Sequence, residues 1–296
     1  MSVINTNVNS LVAQNAVKVN ARALSSAMEQ LSTGKRINGS KDDAAGLSIS
    51  QIMTAQIRGL NQAVRNANDG ISLLQTADAA MVEQTNMMQR MRELAVQAST
   101  DTVTPDQKEY LNSEYQALLT EIDRIATATQ WNGKNLLDGT SGKASNGIYV
   151  FQVGANSATG VTDQSVSVDL GRASVATSAN SVEGIYTDLI GTSISDGAAL
   201  STTVNASAAI TALDESIKAG NEKRALIGAG INRLTYAADN LANISMNTAA
   251  SRSRIEDTDY AQASTELART QIIQQAATAM LAQANQSPQS VLALLK

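Results

Sequence analysis

The sequence predicts a mainly α-helical protein, a long antiparallel coiled-coil hairpin or bundle with a small β-hairpin region in mid-chain. Three observations carry that prediction. Proline occurs only at Pro105 and Pro288, so almost the whole chain lacks the strongest helix breaker. Apolar residues recur at steps of three and four through both halves, which is the helical period. Between residues 133 and 200 that period lapses into sequence rich in Gly, Ser, Thr and Asn.

Each element follows in order. Residues 3–31 carry a stripe of Ile4, Val8 and Leu11, then Leu24, Met28 and Leu31, with a looser middle. From Met53, alternating steps of four and three reach residue 95 through thirteen positions, ten of them apolar; Asp78, Thr85 and Arg92 are the exceptions. A seven-residue repeat held that long predicts a coiled-coil seam. A helix of fifty-odd residues would span roughly 80 Å, which predicts a rod. Thr104-Pro-Asp-Gln107 opens the next helix, with Thr104 as cap, Pro105 at its first position and Gln107 closing a capping box. Its seam runs through Leu111, Tyr115, Leu118, Ile122 and Ile125 and is expected to stop before Asn132-Gly133. GIYVFQVGA (147–155) and SVSVDL (165–170) read as strands of a hairpin, and residues 171–200 as a short exposed excursion. Helical period returns near Val204, with Leu213, Ile217, Ile227, Ile231, Leu234, Ala238 and Leu241 on one face. Gly220 and Arg224 are expected to interrupt it, and RSRIEDTDY (252–260) reads as a charged break. A last helix places Ile273, Ala277, Met280 and Ala284 at helical spacing, before an apolar tip that includes Leu292 and Leu295.

The layout is nearly symmetric, so the two halves are expected to run back along each other and share seams. Three parts follow: terminal helices at 1–40 and 258–296, a coiled-coil rod at 41–170 and 201–257, and the excursion at 171–200.

Composition narrows the chemistry. The chain has 296 residues, no cysteine and no histidine. A Cys/His zinc site, a cysteine nucleophile and a histidine base are therefore excluded. Net charge is −5, which argues against nucleic acid as a partner. MSVINTNVNSLVAQ lacks the basic start and apolar run of a secretory signal, and nothing approaches the ~18 apolar residues of a membrane span. Taken alone, these signals read as cytoplasmic. No cofactor is expected.

Residues 32–50, STGKRINGSKDDAAGLSIS, combine Gly34-Lys35 with Asp42 and Asp43. A phosphate loop requires Ser or Thr after Gly-Lys and a preceding strand; here Arg36 follows and the preceding segment is helical. Adjacent carboxylates on a helix point about 100° apart and do not share a metal. A hinge explains more. Gly34 ends the first helix, Gly39 lies in the connection, Ser40 with Asp43 forms a capping box, and Asp42 and Asp43 favour the positive end of the next helix.

At this point the residues resemble bacterial flagellins, subunits of the flagellar filament, in a short form. The resemblance rests on SVINTN (2–7), QLSTGKRINGSKDDAAGLSIS (30–50), RNANDGISLLQTADAAM (65–81), QRMRELAVQA (89–98), EIDRIA (121–126), WNGKNLLDG (131–139), ASRSRIEDTDYA (250–261) and MLAQANQSPQSVLALLK (280–296). It implies a bent hairpin whose terminal helices pair as an inner coiled coil, surrounded by the rod, with the outer domains nearly absent. The terminal residues already named, from Ile4 to Leu31 and from Ile273 to Leu295, would then be filament-core positions. Asn/Gln-rich helices with thin apolar stripes bury little on their own, so they are expected to be largely disordered in the monomer and to fold on assembly.

The resemblance reverses the reading of location. It implies export through the flagellar apparatus without a cleaved signal, and a swimming filament outside the cell. It implies as partners other copies of the chain, an export chaperone at 261–296, and hook-associated junction and cap proteins. It further implies recognition of the monomer by Toll-like receptor 5 through Gln89, Arg90, Leu94 and Glu114; Leu118 departs from the basic residue some relatives have there. A junction protein of the same superfamily, a soluble coiled-coil adhesin and an enzyme stand as rivals, the last without an identifiable site.

Overall fold

The computed structural model describes residues 7–139, 147–154, 164–170, 200 and 202–293. The described chain is mainly helical, with two small antiparallel β-ladders in its middle. Helix α1 (Val8–Thr33) starts at Asn7, whose side chain accepts from the Ser10 N–H at 3.1 Å. It ends at Gly34, left-handed at φ 71°, whose N–H donates to the Gln30 carbonyl, as a glycine stop does. Helix α2 (Ala44–Ala98) runs 55 residues. Helix α3 (Pro105–Ala128) opens with both halves of the Thr104–Gln107 capping box in place.

Strands β1 (Gln130–Trp131) and β2 (Lys134–Asn135) pair across Asn132 and Gly133, both at positive φ. That conformation is what a two-residue hairpin requires, and Asn-Gly supplies it. Strand β3 (Ile148–Gln152) pairs with β4 (Ser165–Asp169), Val150 opposite Ser167, where alternation predicted a hairpin. Helix α4 (Thr203–Glu256) and helix α5 (Tyr260–Ala293) complete the described chain. The excursion expected at 171–200 lies, all but its last residue, outside the described residues.

Two expectations need correction. Gly220 and Arg224 do not interrupt α4: Gly220 is buried within it, and Arg224 reaches Asp78 at 2.9 Å. The charged break shrinks to residues 257–259, because α4 accommodates its arginines: Arg254 is exposed, while half-buried Arg252 donates to the Thr54 hydroxyl at 3.2 Å and pairs with Glu256 at 3.9 Å.

The chain forms two compact units, residues 58–245 and residues 1–57 with 246–296. In the first, α2, α3, α4 and the strands enclose a main core, and Leu60, Ala63 and Leu241 form a second, smaller cluster. Leu74, Met81, Met88, Met91, Leu94, Tyr115, Ile122, Leu213, Ile227 and Leu234 are all buried in the main core. Flexible thioethers fill the space that aromatic rings would otherwise take. The heptad from Met53 is the buried face of α2; of its thirteen positions only Arg92 is exposed. Its three polar members are each accommodated. Asp78 pairs with Arg224 at 2.9 Å, Arg92 with Asp214 at 2.6 Å, and the Thr85 hydroxyl donates back to the Met81 carbonyl at 2.8 Å.

The β3–β4 ladder lies where two helices lack side chains. A Cβ on Gly70 of α2 would stand 2.7 Å from the Phe151 ring, and one on Gly230 of α4 would stand 2.7 Å from Val168. Lys223 pairs with Asp169 at 3.1 Å, and the Asn66 amide donates to the Gln152 carbonyl. The Tyr149 hydroxyl donates to the Asn135 carbonyl at 2.9 Å, joining the two ladders.

Candidate functional site: the terminal helix pair

The unit made of 1–57 and 246–296 pairs α1 with α5 in antiparallel fashion. On α1 the shielded positions are Ser10, Ala13, Val17, Asn20, Leu24, Ala27 and Leu31. On α5 they are Ala263, Leu267, Thr270, Gln274, Ala277, Leu281 and Ala284. Both sets keep the three-and-four spacing of a coiled-coil seam. Its polar members meet one another. The Asn20 amide donates to the Thr270 carbonyl at 2.8 Å and to Gln274 Oε1 at 2.9 Å. The Ser10 hydroxyl donates to Asn285 Oδ1 at 2.9 Å, and the Asn7 amide to the Ala284 carbonyl at 2.8 Å.

The predicted core residues therefore divide. Leu24, Leu31 and Ala277 are half-buried on the seam. Val8, Leu11, Met28, Ile273 and Met280 are exposed instead; Leu11 keeps 56% of its surface and Met280 66%. The physical reason is that Ser10 and Asn20 occupy the inward positions, which turns the neighbouring apolar residues outward. Ile4 and Leu295 lie outside the described residues, as does the side chain of Leu292. Val12, Val19 and Ile272 are exposed as well. Two grooves run between the helices, one of about 550 Å³ lined by Val12, Ala16, Ala277 and Met280, the other of about 480 Å³ lined by Val19, Ala23 and Ile273 together with Glu266 and Arg269.

The hinge is a stapled joint. Lys35 bridges Asp257 in antiparallel register: the Arg36 N–H donates to the Glu256 carbonyl at 2.7 Å and the Thr258 N–H to the Gly34 carbonyl at 3.0 Å. Lys35 and Glu256 form an ion pair at 2.5 Å, and the Arg36 guanidinium donates to the Ile255 carbonyl. The expected Ser40–Asp43 capping box is replaced. Asp43 itself caps α2, accepting from the Gly46 N–H at 2.8 Å, because α2 begins only at Ala44. Asp42 accepts from the Asn38 and Gly39 N–H groups, and Ser40 is exposed.

On the other unit, Gln89, Arg90 and Glu114 are exposed, with Arg90 held between Glu93 at 2.9 Å and Glu114 at 3.0 Å. Hydrogen bonds first to Glu93 and then to Glu114 push the guanidinium pKa further up. Leu94, expected in the same patch, is only 1% exposed. One position along a helix is a turn of about 100°, and that carries Leu94 from the patch into the core.

Residues 4–142 match the bacterial flagellin N-terminal helical region, and residues 210–295 the bacterial flagellin C-terminal helical region. A flagellin of Halalkalibacterium halodurans is 45% identical over 294 residues, which cover 99% of this chain and 100% of that protein. The chain belongs to the flagellin family. A Bacillus subtilis flagellin is 41% identical over 303 residues, covering 99% of each chain. A crystal structure of Bacillus cereus flagellin covers 64% of this chain and 94% of its own at 29% identity, with a TM-score of 0.47. Alignment with polar flagellin C of Vibrio parahaemolyticus runs over 385 positions at 35% identity, covering 99% of each chain. That exceeds the 296 residues of this flagellin, which is the shorter of the two. As a flagellin it is a structural subunit that self-assembles into the extracellular flagellar filament. Among the described residues no helix is long and apolar enough to cross a membrane.

The polar seam is what sequence reasoning missed. A stripe sought among apolar residues passes over Ser10, Asn20, Thr270 and Gln274. The signal was available: Asn20 stands four residues before Leu24 and three after Val17, at seam spacing.

Proposed function

We propose that this flagellin builds its filament through the α1–α5 pair, with residues 1–40 and 258–296 as the inner core, 41–170 and 201–257 as the rod around it, and 171–200 as the surface excursion. One observation carries the reading. The pair is internally hydrogen-bonded yet leaves Val8, Leu11, Val12, Met28, Ile273 and Met280 exposed. A surface of that kind marks an interaction site, and further copies of the same chain would cover it. The low charge of both termini suits such burial. The swimming filament would grow from subunits exported unfolded without a cleaved signal. A chaperone would shield 261–296 before assembly, and junction and cap proteins would meet the ends of the polymer.

Seeded polymerisation tests this. Monomer is added to short sheared filaments and elongation is followed by electron microscopy, beside a chain lacking 1–33 and 261–296. Long filaments from the intact chain and none from the trimmed one are expected. Elongation by the trimmed chain would overturn the reading.

We further propose that the monomer is a ligand of Toll-like receptor 5 through Gln89, Arg90 and Glu114. The exposed, ion-paired cluster on α2 and α3 supports it. An Arg90→Ala, Glu114→Ala chain should lose receptor signalling in a reporter cell while keeping its helical circular dichroism. Full signalling by that chain would sink the idea.

A further inference from the structure

Pro288 lies inside α5. Proline has no backbone N–H, so it cannot donate to the carbonyl four residues earlier. That carbonyl is Ala284, and it receives the Asn7 amide at 2.8 Å. An open helix carbonyl on one terminal helix is thus met by the first described residue before the other. Asn7 is suited to both duties: its Oδ1 caps α1 through the Ser10 N–H, while its Nδ2 reaches across to α5. We infer that Asn7 and Pro288 form a register lock, in which a carbonyl left open by proline is recognised by an amide. The lock selects the alignment of α1 against α5 that enters the filament.

The seam needs such a device. Most of its members are small or aliphatic, Ala13, Val17, Ala27, Ala263, Ala277 and Ala284 among them, and a slip of one heptad would bring similar residues together. Such a slip removes Asn7 from Ala284. It also sets Asn20 beside Ala277 and Leu281, or beside Ala263 and Leu267, where its amide has no side-chain acceptor. A polar group at a seam position specifies register because only one alignment satisfies it. Ala284 is half-buried and Asn20 buried, so water compensates poorly for either loss.

This lock rests on the assembly reading, and the experiment keeps the two apart. Four full-length chains are compared in seeded elongation: unaltered, Asn7→Asp, Pro288→Ala, and both changes together. Aspartate keeps the cap acceptor for α1 and removes the donor, while adding a charge whose effect the neutral Asn7→Ser chain separates. Alanine at 288 restores an N–H, so the Ala284 carbonyl is satisfied within α5. Asn7→Asp alone should raise the critical concentration for elongation about fivefold. In the Pro288→Ala background the same change should raise it less than about twofold, a rescue that a generally weakened helix would not show. Asn7→Ser, which also caps but is too short to reach α5, should behave like Asn7→Asp. Equal effects at residue 7 with and without proline, or no effect in either background, would overturn the lock. Elongation of the unaltered chain tests the assembly reading and is indifferent to residue 7.

Discussion

Asn20 shows how a single side chain sets a helix face. Its two seam neighbours on α1, Val17 and Leu24, are aliphatic, yet its amide is buried against Thr270 and Gln274. A stripe drawn through apolar residues alone, Val8, Leu11 and Met28 among them, does not trace this seam, because these residues are exposed in the pair. Leu24 and Leu31 lie on the seam because there it is itself apolar. Replacing Asn20 by leucine should keep the helices paired but weaken their alignment. The chain has no cysteine, so engineered pairs report register cleanly. Cross-linking Ala13→Cys to Ala277→Cys, against Ala13→Cys to Ala284→Cys one heptad away, should shift toward parity by about fivefold in the Asn20→Leu chain. An unchanged ratio would show that Asn20 does not choose the register.

Among elements, the β3–β4 hairpin depends on what the helices omit. Gly230→Ala puts a methyl 2.7 Å from Val168 and 3.4 Å from Leu74. Overpacking of that sort costs about 1–3 kcal/mol, and the helix gains back about 1 kcal/mol from alanine. Two residues earlier, a Cβ on Gly228 would meet nothing within 4 Å, so Gly228→Ala should show only the gain. The two substitutions should therefore move the thermal midpoint in opposite directions, and Val168→Ala should relieve the first. Matching shifts would mean the hairpin adjusts freely. This ladder was legible from the alternation of SVSVDL. The smaller ladder at 130–135 was not, because two-residue strands carry no period and Asn132-Gly133 reads equally as the end of a helix. The long α2 was legible because its heptad is sustained, so Asp78, Thr85 and Arg92 could not obscure it. Gly220 misled because a buried helical glycine looks like a break when its packing is unseen.

For the whole molecule, charge is divided unevenly. Residues 58–245 hold 13 Lys and Arg against 20 Asp and Glu, while the remaining residues hold 9 against 7. Copies brought together therefore repel chiefly through residues 58–245, and the terminal pair adds little opposition. Raising ionic strength from 0.01 to 0.15 M shortens the screening length from about 30 to about 8 Å. Seeded elongation should quicken severalfold over that range, and a rate indifferent to salt would contradict the charge argument. Family membership was legible because its motifs spread over both ends of the chain. The hinge was legible as a joint but not as a staple, because no periodicity reveals that residue 35 meets residue 257.

That staple carries a temporal consequence. Lys35 and Asp257 stand about 220 residues apart in the chain, so the bridge between them closes one of the longest loops the fold contains. Closing so long a loop has a large entropic cost, and contacts of such separation form late. A chain emerging from its N-terminus holds α1 without a companion until nearly everything else has appeared. The staple therefore closes only after residues 36–256 have appeared, so the terminal helices are joined once the rest of the subunit is available to fold.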